Sequence, residues 1–267
     1  QLLRLIIMNA VAAGIMAIGV TVFRARNRHL LLQYRAAIQN GRRHTVFLGE
    51  FFAEFAVTLI LLVIAALFLL LSGKQLLKVE KPNVRIAGLD LLAQIKGEAI
   101  MPLVVKAIKG DCHEYRYGAM RVAEQFANDA TYATVAAQLS DKADASQTVD
   151  VLNWLGSQHA ASQVAAVASY VGSANDDVAV AAIAAASKIG GDIALKALIN
   201  RMVKEQNSKA VEEALIAGLL SFNGKINDEF VRVMDTNSSA RAIAKQVLAS
   251  RRIPAAASKV LVWVDNG

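Results

Sequence analysis

The chain has 267 residues, 55% of them hydrophobic, only three prolines and a formal charge of +7, with a mean hydropathy of +0.39. That is too apolar for an ordinary soluble domain, so membrane segments are sought first, and the scarcity of proline beside abundant Ala, Leu, Val and Ile favours helices over strands and turns. The charge is not a nucleic-acid signature: residues 1–82 hold 10 Lys+Arg against 3 Asp+Glu, whereas residues 83–267 hold 19 of each, which gives bulk charge no basic stripe to offer a phosphate backbone.

Leu5–Phe23 is a 19-residue apolar run interrupted only by Asn9, small residues and Thr21. As a helix it is about 28 Å long, close to the hydrocarbon thickness of a bilayer. A cleaved signal peptide is the rival reading, but it carries its positive charge before the apolar core, and here Arg4 alone precedes the core while most of the arginines follow it. Six of them (Arg24, Arg26, Arg28, Arg35, Arg42 and Arg43) fall in the loop 24–46, with no acid before Glu50. Such a loop is a positive-inside signal, or a basic helix over Arg28–Gln39 resting on anionic lipid.

Phe55–Leu71 follows, seventeen residues without a charge, extended by Phe51 and Phe52 to a span over about 51–72. An amphipathic surface helix keeps a polar stripe over that length. Residues 1–82 therefore read as a membrane anchor with two spans. The expectation is a multi-pass protein of the inner (cytoplasmic) membrane with its C-terminal part outside the cytoplasm. Lys74, Lys78 and Lys81 at the far end of the second span are the counter-signal, and an adaptor facing the cytoplasm is the alternative. Residues are expected to precede Gln1.

Residues 83–267 carry an internal period. One apolar ladder runs Leu89, Met120, Leu152, Ile183, Leu215, Val247, and a second runs Val104, Val135, Val167, Leu198, Phe230, Val262, each at intervals of 31, 32, 31, 32 and 32. Turn signals fall between them at 109–111, 140–142, 172–175, 205–208 and 235–238, several ending on N-cap types such as Asn175 and Ser238. Each unit then holds two helices of roughly 10–14 residues whose apolar faces are covered by stacking on neighbours. The run Val260–Val264 has more apolar residues than one neighbour can cover, so a further repeat, a longer chain or a partner is expected there.

The unit starts Asn83-Val-Arg-Ile-Ala-Gly-Leu, Glu114-Tyr-Arg-Tyr-Gly-Ala-Met and Ser239-Ala-Arg-Ala-Ile-Ala resemble the short HEAT-like repeats also seen in bilin-lyase relatives. The resemblance covers about 185 residues and implies an all-α fold: two transmembrane helices followed by an α-solenoid of about six two-helix HEAT-like repeats. It further implies a scaffold for protein partners, either membrane or envelope subunits, in a setting such as secretion or exopolysaccharide export. Bilin-lyase-like catalysis is the enzymatic alternative, although the resemblance transfers no catalytic residue. In HEAT solenoids the second helices line the face that receives a partner, and the off-core positions there are Lys106, Asn200 and Arg232, a candidate binding row that also reads as solvated surface.

The chemistry-bearing residues read blandly. His113-Glu114 resembles one of the His-Glu pairs by which HEAT-like deoxyhypusine hydroxylases bind iron, but the other unit starts (Asn83, Ser146, Asp177, Ser208, Ser239) supply no second pair. No phosphate loop, Cys-x-x-Cys or HExxH is present. Asp176-Asp177 and Glu212-Glu213 complement helix dipoles. Tyr115, Tyr117, Tyr132, Tyr170, Trp154 and Trp263 read as packing residues, and Cys112 as a small residue in a turn rather than a reactive thiol. The expectation is a non-enzymatic chain with no cofactor and no metal, whose partners are protein subunits and the lipid bilayer, not nucleic acid.

Overall fold

The computed structural model describes residues 44–140, 143–204, 207–226 and 238–251, together with Arg28, Leu32, Phe230 and Val233. The described residues are helical and include no strand, so the chain is all-α. Contacts divide it into two compact units, residues 1–100 and 101–267. The boundary expected at 82/83 falls inside the first unit.

Helix α1 (His44–Leu76) dominates the first unit with 33 residues, about 50 Å at the helical rise. Its stretch Leu59–Leu76 has a mean hydropathy of 2.3 and is only 6% buried. Ile60, Ile64, Leu67 and Leu71 are each more than half exposed. The turn at 77–81 reverses the chain into α2 (Pro82–Lys96), whose proline stands in the first turn, where no amide donor is needed. The two helices are antiparallel and touch through glycines. A Cβ on Gly88 would lie 2.8 Å from Leu76 Cβ, and one on Gly73 would lie 2.7 Å from Leu92 Cγ.

The expectation of a multi-pass inner-membrane protein is overturned at this point. Among the described residues one helix is long and apolar enough to cross a bilayer, and a placement built on two crossings loses its basis. The segment Leu5–Phe23 and most of the basic loop lie outside the described residues.

In the second unit, short helices alternate between two rows. The first row is α4 (His113–Ala123), α6 (Ala145–Ser157), α8 (Asp176–Ile189), α10 (Lys209–Leu220) and α11 (Ser238–Arg251). The second is α3 (Met101–Ile108), α5 (Asp129–Ala136), α7 (Val164–Tyr170) and α9 (Gly191–Met202). Consecutive members of the first row pack on one another, and in the second row α3 packs on α5 and α7 on α9. Several starts are capped by short polar side chains that accept an orphan amide: Asn128 from Thr131, Asp144 from Ser146, Asn175 from Val178 and Ser208 from Val211.

Three second-row helices, α3, α5 and α7, are shorter than the 10–14 residues expected, at eight, eight and seven. For α3 and α7 the difference is made up by 3₁₀ turns that run directly into them, Gly97–Ile100 and Ala161–Gln163, a tighter form common at helix ends.

The described members of the two apolar ladders are core positions. Leu89, Met120, Leu152, Ile183, Leu215 and Val247 are all 0% exposed, as are Val104, Val135, Val167, Leu198 and Phe230. Val262 and the run around it lie outside the described residues. Close approach needs small residues where the first-row helices meet: a Cβ on Gly156 of α6 would sit 2.7 Å from the Cα of Ala185 on α8. Gly190, at φ 78° after α8, has the Asn223 carbonyl directly against the position a Cβ would take, so both conformation and space demand glycine.

Candidate functional site

Lys106 on α3 and Asn200 on α9 are both exposed, each two residues past a buried ladder member (Val104 and Leu198). Ala137 and Ser169 hold the same register and are also exposed. The 31–32-residue stride thus places one exposed position on each of α3, α7 and α9 and one at the C-cap of α5. Arg232, the next in this series, lies outside the described residues. Chemically the column is mixed, with one cation, one amide, one hydroxyl and one methyl, which suits a protein surface better than a small-molecule site.

A denser polar cluster ties α4 to α6. Arg116, on α4, is only 2% exposed, yet each of its nitrogens donates. Nε donates to Asp150 Oδ2 at 2.6 Å, Nη1 to the Gly110 carbonyl at 2.8 Å and Nη2 to Ser146 Oγ at 2.7 Å. Asp150, on α6, is 7% exposed. Its Oδ2 also takes a hydrogen bond from His113 Nδ1 at 2.9 Å, so the His113 Nδ1 carries the proton and Nε2 does not when the ring is neutral. A buried charge pair survives only with its remaining donors satisfied, and here the turn before α4, α4 itself and the first turn of α6 are all used to do it. The arrangement fixes α4 against α6.

The other singled-out residues are placed as follows. Among the described residues no three His, Cys, Asp or Glu side chains gather as a metal site, and His113 meets an aspartate of the next unit rather than Glu114. Cys112 occupies the N-cap position of α4, half-buried, and its side chain makes no capping bond. Asp176 and Asp177 open α8, and Glu212 stands in the first turn of α10. Trp154 and Tyr115 are buried, with Trp154 set edge-on to Tyr132 at a centroid distance of 5.9 Å. Tyr117 departs from the packing expectation: it is 52% exposed, 6.3 Å from the His113 ring. Trp263 lies outside the described residues. A shallow groove of about 420 Å³ runs between α6 and α8, lined by Ser146, Val149, Asn153, Asp177, Val180 and Ala184 among others.

His159 supplies a contact no sequence motif announces. At φ 48° it sits in the left-handed region, and its Nδ1 donates to the Lys188 carbonyl at 2.7 Å. Asn223 covers the same helix end, its amide donating to Ser187 O at 2.9 Å and its Nδ2 to Lys188 O at 3.2 Å. The C-terminal carbonyls of α8 are thereby satisfied by one residue before the helix in sequence and one after it.

No protein-family model matches the chain, and a search of curated proteins returns no match. What is established is an all-α protein with one long apolar helix among its described residues.

Proposed function

We propose that the chain is a membrane-anchored scaffold. Helix α1 lies in a bilayer, and the paired helices after residue 83 stack as HEAT-like repeats that hold a protein partner, itself a membrane or envelope subunit. The observation that supports this reading is the complete burial of every described member of both apolar ladders. A stride shared by two ladders is what stacked two-helix units require. The two rows of packed helices and the polar ties across neighbouring units are in keeping with it. The partner-receiving face in this reading is the exposed column of Lys106, Ala137, Ser169 and Asn200.

Photo-crosslinking in cells tests it. A crosslinking amino acid at Ser169 or Asn200 is expected to capture the same membrane protein from both positions. The same residue at Asn153 or Arg121, exposed on the first row, is expected not to. Capture of nothing from the second row, or of one protein equally from all four positions, would contradict the assignment of that face.

A further inference from the structure

We propose that Lys74, Lys78 and Lys96 bind the phosphates of anionic phospholipids where α1 leaves the bilayer. The proposal rests on the reading of α1 as a membrane helix and adds a lipid class to it. Leu71 is 59% exposed and is the last large apolar side chain of α1 to be more than half exposed. Counting back from it, about 20 residues are needed to cross roughly 30 Å of hydrocarbon, which reaches Phe52. Lys74 then lies about 4.5 Å past Leu71 along the helix axis, inside a headgroup layer that is roughly 5–8 Å deep on each side.

Helix α2 reports on the same level independently. Gly88 lies against Leu76 and Leu92 against Gly73, so in the antiparallel pair Lys96, one turn beyond Leu92, stands beside α1 near Leu69. A lysine at that depth reaches outward along its apolar stem to the interface. Lys96 from one helix and Lys74 from the other thus bracket one boundary, with Lys78 at its outer edge. All three are exposed. From residue 72 to residue 98, the end of the hairpin around its turn, the acids are Glu80, Asp90 and Glu98, against Lys74, Lys78, Lys81, Arg85 and Lys96, so positive charge prevails there. Anionic lipid is the occupant that offers both the apolar depth α1 needs and charge complementary to the lysines.

The test uses the full chain reconstituted into vesicles of phosphatidylcholine alone and of phosphatidylcholine with phosphatidylglycerol. A water-soluble amine reagent is applied, and modification at each lysine is read by peptide mass. Lys74, Lys78 and Lys96 are expected to react roughly fivefold more slowly in the anionic vesicles, the effect of one lysine held at an anionic surface. Lys188 and Lys209, both exposed in the second unit, serve as controls and keep their rates. The protection is expected to fade at high salt, and K74Q/K78Q/K96Q is expected to lose the preference for anionic vesicles while staying inserted. Equal rates in the two vesicle types, with the chain resistant to alkaline carbonate, overturn the lysine site and leave the anchor standing. Protection by inorganic phosphate in neutral vesicles also overturns it, as a free-anion site. A chain washed off both vesicle types by carbonate overturns the anchor and the site together.

Discussion

Helices α1 and α8 are both apolar on nearly every face, and their surroundings differ completely. Residues of α8 from Val178 to Ile189 are buried except for Val180, Ala184 and Lys188, because α6, α7, α9 and α10 all pack on it. Along α1 the large apolar side chains between Val57 and Leu71 are left at least half exposed at nine positions. Length separates the two cases. Fourteen residues of α8 cover about 21 Å and fit inside a packed unit, whereas α1 is long enough to cross about 30 Å of lipid. An all-round apolar helix needs an apolar surrounding; α8 receives it from its own chain, and in the proposed function α1 receives it from a bilayer.

The sharpest way to break that contrast is one charge in each helix. Ile183→Asp places a carboxylate at a 0% exposed ladder position, a burial that costs several kcal/mol without a partner. The second unit is expected to lose its cooperative melting by circular dichroism. Ile60→Asp, on α1, is expected to leave that melting unchanged and to reduce retention in vesicles, since Asp at a span centre costs about 2.5–3.5 kcal/mol. Equal damage to the second unit from both would make α1 a core helix.

The next effect in size concerns the tie between units. Arg116→Met leaves the Asp150 carboxylate buried without its closest donor and is expected to destabilise by about 3–5 kcal/mol. R116M combined with D150L removes both charges and is expected to recover most of that loss, measured by denaturant unfolding. Gly156→Ala comes third: its new methyl meets Ala185 at 2.7 Å, and overpacking of this kind costs about 1–3 kcal/mol. Smallest is Asn175→Ala, which removes the side-chain acceptor for the Val178 amide and is expected to cost about 1 kcal/mol, read as a lowered Tm.

The all-helical class and the burial of the described ladder positions were legible in the sequence because burial forces apolarity at a fixed stride. The N-cap at Asn175 was legible for the same kind of local reason. The Arg116–Asp150 tie was not: its members are 34 residues apart on different helices, and neither residue type announces burial. Tyr117 was misjudged because an aromatic at helical spacing reads as core, while its own turn faces solvent. The two-span anchor followed from hydropathy windows, and one such helix stands among the described residues. As for Lys106 and Asn200, the period located an exposed column, but exposed positions carry little constraint from packing and so say little about what meets them.

Everything turns on whether the second unit is built from interchangeable paired-helix units. Excising residues 145–175 removes 31 residues and brings Ile183 to position 152, restoring a stride of 32 from Met120, with Asp144 taking over as the cap of α8. With R116M added to both excisions, because Asp150 leaves with the segment, the longer one is expected to keep a single cooperative thermal transition, while removal of 145–158 alone, one helix instead of a pair, abolishes it. If both excisions unfold the chain to the same extent, the units are not interchangeable and the repeat account fails.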